Sequence, residues 1–139
     1  MKDDEEQQWN QLHEYEQNVL LAAARSPIVD ADIGPAEFQV NLLVRLGLLE
    51  WGPVGCVPTV KGRWVAELGE TRRAWAELSP SLLKHVGTVV EGCTIARALI
   101  PEDARRELVR LKLAVPLSDG DLGYTYLTER VLEYNQRQQ

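Results

Sequence analysis

The sequence predicts a mainly α-helical protein with small β-hairpins, an α+β fold made of two similar units in tandem. Three observations lead to this prediction. Residues 35–67 have the pattern of a helix, a strand, a Gly/Pro turn, a return strand and the start of a second helix. Residues 101–135 repeat this pattern. Proline opens the first helix of each stretch, and threonine precedes the second.

The first unit is predicted to occupy 9–77, after a flexible acidic tail over 1–8. A helix over 9–24 is expected because apolar residues recur there every three or four positions. The next helix opens at Pro35, where the missing N–H carries no cost. Its inward face is predicted to be the apolar stripe Phe38, Leu42, Leu46 and Leu49, opposite the polar stripe Glu37, Asn41 and Arg45.

Turn chemistry at 52–55 places a hairpin tip after this helix. Thr59 is then expected to cap a helix that ends near Glu77. The second unit is predicted to occupy 78–135, followed by a tail over 136–139. Its elements are expected in the order helix from Ser79, short helix over 94–99, helix from Pro101 with Ala104, Leu108 and Leu111 inward, strand over 114–117, return strand over 124–126, and helix capped by Thr128.

The two stretches also share a six-residue pattern. Leu-Val-Arg-Leu-x-Leu occurs at 43–48 and again at 108–113. The matches fall in the same order in both halves, which favours an internal duplication. A repeat of this length is typical of paired domains rather than of a solenoid.

Residues 58–63 (PTVKGR) and 127–131 (LTERV) resemble the leucine-threonine-glutamate-x-glycine entry to the helix after the wing in MarR- and PadR-type winged-helix proteins. In the first copy Pro58 and Val60 replace leucine and glutamate, and in the second Val131 replaces glycine. The resemblance implies two tandem winged-helix domains. Tandem winged helices also occur in transcription-initiation factors and in accessory subunits of chromosome-condensation complexes, where many bind protein instead of DNA.

Composition indicates an ordinary globular protein. Hydrophobic residues make up 45% of the chain, no apolar run reaches the length of a membrane span, and the N-terminus MKDDEEQQ does not resemble a signal peptide. A cytoplasmic location is therefore expected. Cys56 and Cys93 are too few for a disulfide framework or a zinc site. Both are predicted to be buried free thiols.

Charge is unevenly distributed along the chain. Residues 1–70 carry 5 Lys/Arg and 12 Asp/Glu, a net charge of −7, and residues 71–139 carry 10 and 9, a net charge of +1. An acidic protein is not steered towards nucleic acid by its overall field. A DNA contact would therefore be local. The candidate residues are Arg105, Arg106, Arg110 and Lys112, whose alternative role is a solvated face with local ion pairs.

The helix opened by Pro35 lacks the cations that a DNA-reading helix needs, because Arg45 is its one basic residue. The residues predicted to contact another protein are Val40, Asn41, Val44 and Trp51. For Val40 and Val44 the alternative is contact with the other half of the chain. Most of the four tryptophans are expected to pack in the core, and an exposed one would mark an interface.

No residue set predicts catalysis, and no cofactor or metal is expected. His13 and His85 have no Cys/His partners at metal-ligand spacing, and no phosphate-binding Gly-rich loop is present. The leading hypothesis is a non-enzymatic adaptor or regulatory protein that binds another protein, as a subunit or inhibitor of a nucleic-acid machine. The alternatives are a DNA-binding transcriptional regulator and an acidic DNA mimic or host-directed inhibitor. A homodimer is a further candidate assembly.

Overall fold

The computed structural model describes residues 2–92, 94–95 and 100–138. The helices are α1 (Lys2–Gln11), α2 (Glu14–Arg25), α3 (Glu37–Arg45), α4 (Val60–Ala76), α5 (Pro80–Gly92), α6 (Glu102–Arg110) and α7 (Tyr126–Gln138). The strands are β1 (Leu49–Gly52), β2 (Gly55–Pro58), β3 (Thr94–Ile95), β4 (Ala114–Pro116) and β5 (Leu122–Tyr124). The mainly helical α+β class is confirmed. In the described part of the chain, no helix combines the length and apolarity needed to cross a membrane.

The chain forms two compact units, 1–70 and 71–139. The division falls inside α4, several residues before the predicted position at 77/78. Each unit has its own buried cluster. The first is centred on fully buried side chains such as Leu20, Leu43 and Leu48, and the second on Leu108, Leu122 and Val131.

The described part of each predicted tail is helical. Residues 2–8 belong to α1, and residues 136–138 belong to α7. α1 is held by Trp9, which is buried and whose ring lies against Gly69 on α4.

The predicted helix over 9–24 is instead interrupted between Gln11 and Glu14. The side-chain amide of Gln17 donates to the carbonyl oxygens of Trp9 (3.0 Å) and Leu12 (3.3 Å), acceptors that the break leaves outside the helical ladder.

Each unit contains an antiparallel hairpin, and a further stretch of backbone pairs with one strand of that hairpin. β1 pairs with β2 from Leu49–Pro58 to Gly52–Gly55, and Ile28 forms a bridge to Cys56. In the second unit the order is β3-β5-β4, with Ile95 opposite Leu122. The predicted helix over 94–99 was wrong for Thr94 and Ile95, which form β3, and residues 96–99 lie outside the described residues.

The ends of α3 and α6 are closed by the same set of hydrogen bonds. Leu48 N–H donates to Leu43 O and Leu113 N–H to Leu108 O, both at 2.9 Å. The preceding residues, Gly47 and Lys112, have φ values of 77° and 62°. These features define a left-handed helix cap of the Schellman type. Equivalent positions here differ by 65 in residue number, as Leu43 and Leu108 do.

A threonine on the far side of each hairpin bonds to this cap. Thr59 Oγ1 donates to Gly47 O at 2.6 Å, and Thr125 Oγ1 donates to Lys112 O at 2.7 Å. Each threonine precedes the first residue of α4 or α7 and also accepts from the N–H three positions later, that of Gly62 or Thr128. The prediction that Thr128 caps α7 was therefore wrong, because Thr125 occupies the capping position. Equivalent positions beyond the hairpins thus differ by 66.

The two units differ at the third residue of the helix after the hairpin. In the first unit Thr59 N–H donates directly to Leu48 O at 3.0 Å, and Gly62 lies so close to that carbonyl that an added Cβ would overlap it. In the second unit the hydroxyl of Thr128 lies between the equivalent groups. It accepts from Thr125 N–H at 2.9 Å and donates to Leu113 O at 2.5 Å.

We expect Thr128→Val to lower the free energy of unfolding by about 1–3 kcal/mol, because it leaves a buried carbonyl and an amide without their shared partner. Thr128→Ser keeps the hydroxyl and is the matched control, with a smaller loss. Equilibrium urea unfolding followed by circular dichroism measures both. Equal stability of Thr128→Val and the wild type would show that the bridge does not stabilise the second unit.

Candidate protein-binding surface

α3 has two apolar faces, and the structure buries the one that the sequence analysis assigned to the surface. Val40 and Leu43 are fully buried, and Val44 packs against the same cluster. Phe38 is 73% exposed and Leu46 is 40% exposed. Of the predicted inward stripe Phe38, Leu42, Leu46 and Leu49, the assignment was therefore wrong for Phe38 and Leu46, whereas Leu49 is buried. The prediction that Val40 contacts another protein was also wrong.

The register of α3 follows from its neighbours. α3 packs against α2 and β1. The cap that follows α3 places Leu48 in the core, where its N–H donates to the carbonyl oxygen of Leu43. Val40, Leu43 and Val44 have the three- and four-residue spacing of one helix face. Burying this face leaves Phe38, Leu42 and Leu46, also four residues apart, on the outside, with Leu42 half-buried. These three residues are called the outer α3 stripe below.

α6 provides an internal comparison for the outer α3 stripe. The residues 65 positions after Phe38 and Leu42 are Asp103, which is exposed, and Glu107, which is half-buried. Core positions agree between the copies, since Leu43 and Leu108 are both fully buried. The helix position of Phe38 therefore accepts a carboxylate in one copy and carries a large aromatic side chain in the other. Aligning the two copies in the sequence could have revealed this contrast.

Further apolar side chains of the first unit are exposed on α4 and on the hairpin that follow α3. Val60 (66% exposed) and Trp64 (48%) lie on the first turns of α4, which begins where Thr59 bonds to Gly47. Trp64 is equivalent to Arg130 in the second copy. Trp51 is 46% exposed on β1, and Val54 is 69% exposed at the hairpin tip.

Of the four residues of the predicted interface, two are exposed and two belong to the core or pack against it. Asn41 is exposed on α3 and Trp51 is half-exposed on β1, whereas Val40 belongs to the core and Val44 is half-buried against it. The tryptophans divide similarly. Trp9 is buried, and half-buried Trp75 donates from Nε1 to Asn135 Oδ1 at 3.0 Å and meets the ring of Tyr134 edge-on at 5.3 Å between ring centroids.

The four candidate DNA-contacting residues of the second unit differ in their surroundings, and three of them contact other protein groups. Arg105 donates from Nη1 to the carbonyl of Gly120 in the hairpin loop at 2.6 Å. Arg106 lies 3.8 Å from Glu102, and Arg110 forms a two-point contact with Glu107 and lies 3.6 Å from Glu77. Lys112 is exposed at the α6 cap. The carboxylates beside Arg106 and Arg110 reduce the positive potential that phosphate binding requires.

Arg110 also alters the ionisation of its neighbour. Its hydrogen bond to the carboxylate lowers the pKa of Glu107 below the ordinary value of 4.5, and the same contact raises the pKa of Arg110. Because the pKa of Glu107 is lower in the folded chain than in the unfolded one, the stabilising contribution of the pair is present above the unfolded pKa. It is lost as the pH falls through the folded pKa.

We expect Arg110→Ala to raise the pKa of Glu107 towards its ordinary value, because its main hydrogen-bond donor is removed. Titration of the Glu107 side-chain carboxyl by NMR measures the change. Arg106→Ala is the control, because Arg106 approaches Glu102 rather than Glu107. An unchanged pKa in Arg110→Ala would contradict the assigned cause.

An open groove of about 390 Å³ between α5 and α6 is bordered by His85, Asp103 and Glu107, among others. Among the described side chains, no group of three or more His, Cys, Asp or Glu residues is placed to hold a metal ion. Cys56 is a buried free cysteine, as predicted, and burial raises the pKa of its thiol. The prediction for Cys93 falls outside the described residues.

No known family, no curated protein and no solved structure matches this chain.

Proposed function

We propose that this chain is a non-enzymatic adaptor or regulatory protein that acts by binding another protein, and that each unit is a winged-helix domain. The outer α3 stripe is the centre of the binding surface in this proposal. The fold part is supported by the element order helix, helix, hairpin, helix in each unit. It is also supported by the sheet order β3-β5-β4 in the second unit and by the isolated bridge of Ile28 to Cys56 between α2 and α3 in the first. Subunits and inhibitors of nucleic-acid machines are the partner class expected from the sequence.

The observation that carries the proposal is the contrast between Phe38 and Asp103. A polar residue is accepted at this helix position, so the aromatic side chain is not needed to build the fold. Exposing its apolar surface to water is unfavourable by about 25 cal/mol per Å² relative to burying it. Large aromatic residues that are exposed without a structural role are typical of protein-binding sites, where they contribute a large share of the affinity.

DNA binding through α6 is the second candidate, and it depends on Arg105, Arg106, Arg110 and Lys112. The contacts of Arg105 with Gly120 and of Arg110 with Glu107 and Glu77 argue against it. The leading end of α6 also carries Glu102 and Asp103, which would repel phosphate. The acidic DNA mimic has as its support only the charge of −7 on residues 1–70, 5 Lys/Arg against 12 Asp/Glu.

A duplex-DNA titration at two salt concentrations separates the first two candidates. We expect little or no binding even at low salt, because few cations are available to replace phosphate counterions. The triple variant Arg105→Ala/Arg106→Ala/Arg110→Ala is the control and should behave like the wild type. Tight binding that weakens steeply with salt and is lost in the triple variant would make the chain a DNA-binding protein.

Affinity capture with three baits tests the protein-binding surface itself. We expect Phe38→Asp to weaken a partner bound by the wild type by at least ~30-fold, the effect of losing about 2 kcal/mol at a central aromatic contact. The substitution should fold, because α6 has aspartate at the equivalent position. Tyr15→Asp changes a side chain on α2 that is 75% exposed and should bind like the wild type. Identical capture by all three baits would contradict the proposal.

A further inference from the structure

The outward surface of α3 carries two neighbouring stripes with a definite order of charge. The outer α3 stripe consists of Phe38, Leu42 and Leu46, and the residue before each of them is Glu37, Asn41 and Arg45, respectively. All three polar residues are exposed. The polar stripe therefore runs from negative through neutral to positive along the helix, next to an apolar stripe of the same length.

This arrangement is self-complementary. If two copies of α3 cross in antiparallel fashion about a two-fold axis near Leu42, Phe38 of each copy faces Leu46 of the other. Glu37 of each copy then faces Arg45 of the other, and Asn41 faces Asn41. Such an interface is isologous, with the same contacts made twice. A parallel pair would instead place Glu37 opposite Glu37 and Arg45 opposite Arg45, which is repulsive.

The charges on either side of α3 have the same order. Asp30 and Asp32 are exposed in a short 3-10 helix (Asp30–Asp32) on the N-terminal side of α3, whereas Lys61 and Arg63 are exposed at the start of α4. The start of α4 is bonded through Thr59 to the carbonyl of Gly47 at the other end of α3. An antiparallel partner would bring the acidic end of each copy towards the basic end of the other. α6 lacks this pattern, because Asp103 and Glu107 replace Phe38 and Leu42.

We propose that the outer α3 stripe binds a second copy of this chain, with the two α3 helices antiparallel. This inference rests on the proposed function and names the partner of the same surface. α3 has nine residues and is about 14 Å long, so a single helix pair forms the centre of a small interface. Interfaces at the low end of the usual 1,200–2,000 Å² are typical of transient complexes, and we expect a dissociation constant in the micromolar range.

Charge reversal tests both the partner and the orientation. In sedimentation velocity over a concentration series, the wild type should be a reversible dimer. Glu37→Arg and Arg45→Glu should each weaken the dimer at least ~10-fold, because each places like charges opposite one another twice. An equimolar mixture of the two variants should dimerise again, since each substituted residue then meets its opposite charge. Glu102→Arg, the equivalent change on α6, is the matched control and should dimerise like the wild type.

Three results would overturn the proposal. One is a wild type that stays monomeric at every concentration. Another is a pair of variants that each dimerise like the wild type. The third is a mixture that remains monomeric although each variant has lost the dimer, which would mean another geometry. Circular dichroism of each variant checks that it is folded.

The capture experiment with Phe38→Asp distinguishes this failure from failure of the proposed function. A monomeric wild type whose protein partner is lost on Phe38→Asp would show that a different protein occupies the surface. The proposed function would then stand and self-association would be wrong. A Phe38→Asp variant unchanged in both self-association and partner capture would overturn both.

Discussion

The hydrogen bond from a threonine hydroxyl to the carbonyl of a left-handed helix cap is the contact on which each unit depends. Thr59 joins α4 to the end of α3 through Gly47, and Thr125 joins α7 to the end of α6 through Lys112. One hydroxyl thus satisfies a terminal carbonyl of one helix and a terminal N–H of the next. Because the hairpin lies between the two bonded residues, the same contact closes the loop that contains it.

The two units have similar buried positions but different outward-facing residues. Fully buried pairs such as Leu43/Leu108 and Val65/Val131 match in position and burial. Outward positions differ, with Phe38 against Asp103 and Trp64 against Arg130. The cap residue also differs between the units, because Lys112 has the left-handed conformation that Gly47 adopts at no steric cost. Packing constrains the inner positions, whereas the outer ones are free to serve binding.

The sequence predicted the first hairpin and the inward face of α6 because these depend on local signals. The prediction of a return strand over 124–126 in the second hairpin was wrong, since that strand is Leu122–Tyr124 and Tyr126 opens α7. The turn residues at 52–55 mark the first hairpin, and Leu108 and Leu111 are buried as their spacing indicates. The face of α3 was misassigned because both of its apolar stripes have helical spacing, and only packing against α2 and β1 selects Val40 over Phe38. The capping residue of α7 was misassigned because two threonines stand three positions apart. Only the bond to Lys112 shows which one precedes the helix.

The hydrogen bonds that close the end of α3 affect the entropic cost of binding at the outer α3 stripe. A surface that must order itself on binding loses affinity through the conformational entropy of its side chains and backbone. α3 is held at its C-terminal end by the cap and Thr59 and along its length by Val40 and Leu43, so its backbone is ordered before a partner arrives. Phe38 and the leucines can then present a fixed spacing at little entropic cost. In the proposed interface, Phe38 and Leu42 on the nine-residue helix and Leu46 at its C-cap therefore need a partner that matches both the stripe and the order of charge from Glu37 to Arg45.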